Sequence, residues 1–122
     1  MEATLPQKRT TTPAEKLDDL KRLLEERKAE RIVCLDLAEQ GFFTESLVVL
    51  TANSARHARS LADDIAALCH ERSWEFLRAE GYVVGRWILV DLNDIVLNIF
   101  LEPVRDLYHL ESLWGFVKES TT

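Results

Sequence analysis

The 122-residue chain is poor in residues that interrupt or crosslink a fold, with four glycines, three prolines and two cysteines. Cys34 and Cys69 form no CxxC pair, so neither a zinc knuckle nor a dithiol redox motif is present. One falls in an apolar strand pattern and the other on the apolar face of a helix, which predicts two buried, reduced thiols. A cytoplasmic chain of this size needs no disulfide. No apolar stretch approaches the ~20 residues that span a bilayer. The opening residues, MEATLPQKRTTT, hold no apolar signal core. A cytoplasmic protein with no membrane association is therefore expected.

Basic charge is also scarce. Fifteen lysines and arginines face 21 acids, for a net charge of −6. A protein that binds nucleic acid through its backbone shows a basic footprint. Here Lys21-Arg22 and Arg27, Lys28 and Arg31 lie among glutamates. Little direct nucleic-acid binding is expected, and docking to a basic protein is favoured.

Recognisable chemistry is missing too. The nucleophile elbow GxSxG, the phosphate loop GxxxxGKS/T and the dinucleotide fingerprint GxGxxG do not occur. His57, His70 and His109 stand at no metal-ligand spacing. Asp36, Asp91 and Asp94 could gather around a metal, but their spacing does not require it. The expectation is no catalytic residue, no metal and no cofactor.

What is present is an ordinary globular composition, 47% apolar and 30% charged. The length suits one domain burying roughly two-thirds of its unfolded surface. The stretch from Glu80 to Phe100, EGYVVGRWILVDLNDIVLNIF, organises it. Trp87 to Val90 and Ile95 to Phe100 read as strands. Asn93-Asp94 reads as the tight turn between them, since asparagine tolerates a left-handed backbone. Gly81 and Gly85 permit a bend on the approach. Trp87 and Leu89 alternate with Ile88 and Val90, so the hairpin is apolar on both faces. One face lines a core; the other is covered by a helix of the same chain or by a partner. Asp91 and Asp94 would sit together at the turn end, solvated, as turn-forming acids or as an acidic lip for a basic partner.

The rest follows in order. Residues 1–12 read as a tail, and Thr12-Pro13-Ala14-Glu15 as a capping box opening a helix to about Ala29. Arg31 to Leu37 and Ser46 to Thr51 read as strands, with Gly41 marking the loop between. Asn53 or Ser54 caps a helix whose stripe runs through Ala58, Leu61, Ala62, Ile65, Leu68 and Cys69, ending near Arg72. Trp74 to Ala79 reads as a short strand. After Pro103, Leu107, Leu110 and Trp114 keep helical spacing. The sum is a single α/β domain over 13–116, a mixed sheet covered by helices, with a second tail at 117–122.

Short motifs in this order and spacing resemble the ribosomal silencing factor, or Iojap-like, family. They are KAERIVCLD (28–36), LVVLTANSARH (47–57), EGYVVGRWILVDLND (80–94), Asn98-Ile99-Phe100 and RDLYHLESLW (105–114). The resemblance spans residues 14 to 114. It implies a small α/β domain with a mixed five-stranded sheet and no accepted catalytic activity. It implies binding to a basic protein of the large ribosomal subunit, the one numbered fourteen, on the face that meets the small subunit. The bound factor would block subunit joining and lower translation when nutrients are short. Relatives in organelles assist large-subunit assembly, and isolated members often look like homodimers. Carried over position by position, the contact surface falls on Trp87, Leu89 and Asp91, on Leu92 and Asp94 at the turn, and near Arg105 and Tyr108. Trp87 is the anchor candidate, with a core tryptophan as the plainer alternative.

This chain departs from the family pattern at Glu45-Ser46-Leu47, where Asp-Tyr-Phe is usual. Leu92 stands for an aromatic, Asn93 for a glycine and Asn98 for a histidine. The sheet order also looks like a nucleotidyltransferase fold. That class needs a Gly-Ser pair and a carboxylate pair on a strand, whereas Ala52-Asn53-Ser54 leads into a helix with no DxD after it. Two rival functions accompany silencing: a metal-dependent nucleotidyl- or phosphotransferase using Asp36, Asp91 and Asp94, and a homodimeric assembly module joined through the hairpin face.

Overall fold

A computed structural model describes residues 11–37 and 44–108. The element order is α1 (Pro13–Glu26), β1 (Glu30–Asp36), β2 (Ser46–Ala52), α2 (Ala55–Arg72), β3 (Arg78–Glu80), β4 (Trp87–Asp91), β5 (Ile95–Leu101) and α3 (Glu102–Tyr108). The strands form one five-stranded sheet in the order β1-β2-β5-β4-β3. Only the central pair, β2 and β5, is parallel; the other neighbours are antiparallel. The expected mixed sheet with helices is what the chain builds.

Local chemistry sets the helix ends. Thr12 and Glu15 form the expected capping box: the Glu15 N–H donates to Thr12 Oγ1 at 3.2 Å, and the Thr12 N–H to Glu15 Oε1 at 3.1 Å. Thr11 is tied down as well, its hydroxyl accepting from Trp74 Nε1 at 3.3 Å. The first helix stops at Glu26 rather than Ala29. Lys28 adopts φ +70°, and the Ala29 N–H turns back to Leu24 O at 2.9 Å in a Schellman closure. The second helix ends the same way at Ser73 (φ +60°), with the Trp74 N–H on Cys69 O. Ser54, not Asn53, supplies its N-cap oxygen.

The expected strand over Trp74 to Ala79 is correct only at its end. Trp74 is buried in the helix-side core, and pairing begins at Arg78. Trp74 follows helix α2 as its hydrophobic closing residue, a role that periodicity does not distinguish from the start of a strand. Gly41 and the residues Leu110 and Trp114 of the last expected helix lie outside the described residues, as do 1–10 and 109–122.

Two apolar layers flank the sheet. On one face α1 and α2 place Leu20, Leu24, Leu61 and Ile65 over Ile88, Val90 and the alternate residues of β2 and β5. On the other lie Leu35, Val49, Val96 and Phe100, with Val104 of α3 against them and Trp87 and Leu89 at the side. Central strands covered on both faces read as near-continuous apolar runs, as Leu47–Leu50 of β2 does and as β5 does apart from Asn98.

Cys34 and Cys69 are both buried, and neither is in a disulfide. Burial pushes the Cys69 thiol up to about 11 from 9.0, with Asp94 raising it further and Lys16 partly opposing. A raised folded-state value means the folded form holds its proton more tightly than the unfolded form. The associated stability is complete below pH ~9 and is lost as pH rises towards 11, at most about 2–3 kcal/mol. Urea unfolding of wild type and Cys69→Ala, compared between pH 8 and 11, should show the alkaline limb shallower in the variant. Equal slopes would mean that Cys69 ionises as freely in the fold as outside it.

Candidate functional site

Strand β4 is the centre of the candidate site. Its alternation sends Ile88 and Val90 into the helix-side core and Trp87, Leu89 and Asp91 to the opposite face. The register sets Trp87 across from Phe100, Leu89 from Asn98 and Asp91 from Val96. Trp87 and Leu89 are half-buried, so both present apolar surface without being sealed in. The Trp87 ring lies 4.8 Å from the Phe100 ring at 36°, and its indole N–H donates to Asn98 Oδ1 at 2.9 Å. An aromatic whose polar edge is satisfied from within can meet an apolar partner without stranding a donor. Asn98, only 2% exposed, is the residue that sequence reasoning passed over. Its signal was the polar residue inside IVLNIF, at a position facing Leu89 across the ladder.

The acids are arranged differently from the expectation. Asp91 and Asp94 are not a solvated pair. Asp91 is buried; its Oδ1 accepts from the Asn93 N–H at 2.8 Å, and Arg78 stands 3.7 Å from Oδ2. It fixes the turn, where Asn93 has φ +80° and the Leu92 N–H bonds to Ile95 O. Asp94 points to the helix layer, accepting from Lys16 Nζ at 2.8 Å, while its backbone oxygen accepts from the Glu45 and Ser46 N–H groups. Lys16 in turn stands over Trp74, 5.8 Å from the ring centroid. Among the described residues, the exposed acids Asp36, Glu45 and Glu75 are instead spread along this end of the sheet, Asp36 pairing with Ser46 on one side and Glu75 accepting from Asn93 Nδ2 on the other.

Lys16 and Asp94 thus clasp α1 to the hairpin. Asp94 Oδ1 is buried with no hydrogen-bond partner among the described residues, so it depends on Lys16. Lys16→Met should cost about 1–3 kcal/mol in urea unfolding. Adding Asp94→Asn should recover part of that loss; a double variant as weak as the sum of the singles would mean the pair is not coupled.

Two further expected contacts, Leu92 and Arg105, are buried. Leu92 is 1% exposed within the helix-side core, since alternation turns it away from Asp91. Arg105 is 2% exposed and donates to Arg31 O at 2.6 Å and Thr51 Oγ1 at 2.9 Å. It pins α3 to the sheet. Tyr108 is the last residue of α3. His57 is a latch: Nδ1 accepts from the Asn53 N–H at 2.9 Å, which leaves Nε2 to donate to Arg27 O at 2.8 Å. His109 lies outside the described residues.

The carboxylates of the rival enzyme reading do not converge. Asp36 follows the helix-facing Cys34 by two residues, Asp91 lies on the opposite face, and Asp94 is held by Lys16. Among the described residues no three acids, histidines or cysteines stand close enough to share a metal ion, and no helix is long and apolar enough to cross a membrane.

Comparison with known proteins bears on what such a strip serves. Residues 10–122 match the family described as ribosomal silencing factor during starvation. The chain is 34% identical over 97 residues to a ribosomal silencing factor of Chromobacterium violaceum, covering 80% of each chain. It is 32% identical over 92 residues to that of Halalkalibacterium halodurans, covering 75% of this chain and 79% of the relative. It also matches the mouse protein named for mitochondrial assembly of the ribosomal large subunit, at 26% over 101 residues, 80% of this chain and 44% of that one. An X-ray structure of a Chromobacterium violaceum protein superimposes with a TM-score of 0.82 at 30% identity, covering 86% of this chain and 88% of that one. With a family match over residues 10–122 and relatives more than 30% identical over three-quarters or more of its length, the chain belongs to the ribosomal silencing factor family.

Proposed function

We propose that this chain binds the large ribosomal subunit and keeps the small subunit from joining, lowering translation when nutrients are limiting. The partner is the basic large-subunit protein numbered fourteen, and the action is steric occlusion in the cytoplasm, which requires no chemistry from the bound domain. The observation that carries this reading is the Trp87–Leu89 strip, half-buried on the face of β4 away from α1 and α2, with its indole N–H already satisfied. Apolar anchors of this kind dominate many interfaces. The exposed acids Asp36, Glu45 and Glu75 near the turn, and the net charge of −6, suit a basic partner and a salt-sensitive association. Asp91 supports the strip by fixing the turn.

Co-sedimentation with purified large subunits, small subunits and intact ribosomes tests it. Retention on large subunits, with fewer intact ribosomes formed when small subunits are added, is the expected result. No retention at moderate salt would remove the proposal. The mouse relative's name favours a second reading, assistance in large-subunit assembly. Under that reading the protein would sediment with assembly precursors and leave the joining of mature subunits unchanged.

A further inference from the structure

The ion pairs of the described residues leave out one group of arginines. Asp19 holds Arg22 and Arg72, Asp64 holds Arg27, Glu102 holds Arg31 and Glu80 holds Arg78. Arg105 is buried on its two oxygen acceptors. Arg56, Arg59 and Arg86 have no carboxylate partner among the described residues; Arg56 and Arg86 are exposed, and Arg59 gives Nη1 to Val83 O at 3.1 Å. The three stem from one contact. A Cβ on Gly85 would stand 2.8 Å from Ala55 Cβ and 2.9 Å from Arg59 Nη1. Arg56 follows Ala55 and Arg86 follows Gly85, so the fold gathers cations that the sequence separates. Their repulsion disfavours such a group, and acids outnumber bases in this chain by 21 to 15. Leaving it uncompensated suits a ligand that supplies the negative charge. Tyr82 stands on the same loop, 39% exposed, with its hydroxyl donating to Asp63 at 3.1 Å.

We propose that this corner of the fold contacts RNA, with phosphates on Arg56 and Arg86 and an unpaired base against Tyr82. The guanidinium fork matches phosphate oxygens in shape and charge. An aromatic ring beside cations is the combination that takes an unpaired nucleotide, and an acidic peptide would leave the ring unused. Arg59 is a positioning residue: its bond to Val83 O fastens the loop that carries Tyr82. The Leu101 N–H bonds to Arg86 O at 3.0 Å, which sets Arg86 at the end of β5 away from the Asn93 turn. Asp36, Glu45 and Glu75 lie at the turn end, roughly 20 Å off along the strands. The two ends of the sheet therefore differ in sign, one suited to a basic protein and the other to a polyanion. Arg86 directly precedes Trp87, so the RNA contact is continuous with the strip proposed above. The chain-wide charge of −6 keeps it a local contact that adds to the protein one. Phosphate contacts carry no sequence information, so no particular RNA sequence is required. The inference rests on the large-subunit reading only for which RNA is met, the ribosomal RNA beside the docked domain.

Titration of a fluorescent RNA hairpin with a single-stranded loop, followed by anisotropy at low salt, tests it. The wild type is expected to bind. Arg56→Gln and Arg86→Gln should each weaken binding about threefold to tenfold and lower the slope of log K against log salt by about one. Tyr82→Ala should weaken the hairpin but not a fully paired duplex, and Tyr82→Phe, which keeps the ring, should bind as wild type does. Arg22→Gln, an exposed arginine already held by Asp19, should change nothing. Both target arginines are exposed, and thermal melts confirm that each variant is folded. A wild type that ignores the hairpin would overturn the proposal. So would Arg56→Gln and Arg86→Gln proteins that bind it no more weakly than Arg22→Gln, or a polyglutamate peptide that competes as well as RNA does. Hairpin binding by a wild type that large subunits fail to retain would sustain the RNA contact and remove the silencing reading instead.

Discussion

Replacing Trp87 by alanine is expected to weaken binding to the large ribosomal subunit by about 2–4 kcal/mol, roughly 30- to 1,000-fold. The indole lies between two roles. Its ring stacks on Phe100 and its N–H is held by Asn98, so the fold fixes its orientation before any partner arrives. The half-buried ring lies on the side of the sheet away from α1 and α2. A pre-oriented aromatic loses little rotamer freedom on docking, which is why its truncation should cost more than its area alone suggests. Leu89→Ala, beside it, should cost less. Asn98→Leu separates orientation from contact: Trp87 remains but its N–H loses its partner, so affinity should fall by an intermediate amount. The readout is co-sedimentation or a labelled-protein titration, with a thermal melt for each variant. A folded Trp87→Ala protein that binds large subunits as tightly as wild type would make Trp87 an ordinary core residue.

The sequence carried the strip because strand alternation is a strict geometric rule. Once Trp87–Val90 is a strand, Trp87 and Leu89 must share a face, and the structure puts them there. The capping box at Thr12, the turn at Asn93 and the stripe of α2 were legible for a similar reason, each being a local rule with few alternatives. What the sequence withheld depends on pairing across the chain. Asp91 and Asp94 sit three residues apart and look alike on paper. Their environments diverge because one faces Arg78 on the neighbouring strand and the other faces Lys16, 78 residues away. Leu92 looked like a turn residue open to a partner, but its parity sends it under α2's layer. Asn98 was noted only as a departure from a family pattern. Its bond to Trp87 emerges only from the β4–β5 register.

Arg105→Ala is expected to destabilise the folded chain by about 2–4 kcal/mol. The resemblance placed Arg105 near the partner, but the fold uses it elsewhere. Its guanidinium is 2% exposed, and Nη1 reaches both Arg31 O on β1 and Thr51 Oγ1 on β2. Arg31 sits at a positive φ of 51°, within the register shift between Glu30 and Val33, and its side chain pairs with Glu102 of α3. One arginine therefore joins α3 to two strands at the point where the β1 ladder is irregular and needs an outside donor. Alanine would leave the Thr51 hydroxyl and the Arg31 carbonyl short of a donor in a site too enclosed for easy hydration. Lysine keeps the charge but not the longer, planar guanidinium whose Nη1 holds its two N–H donors in fixed directions, so it should recover only part of the loss. The expected pattern is a lower urea midpoint with an unchanged large-subunit affinity once the folded fraction is accounted for. Should Arg105→Ala match wild-type stability and lose binding, the residue belongs to the interface after all, and α3 rather than β4 would become the centre of the contact surface.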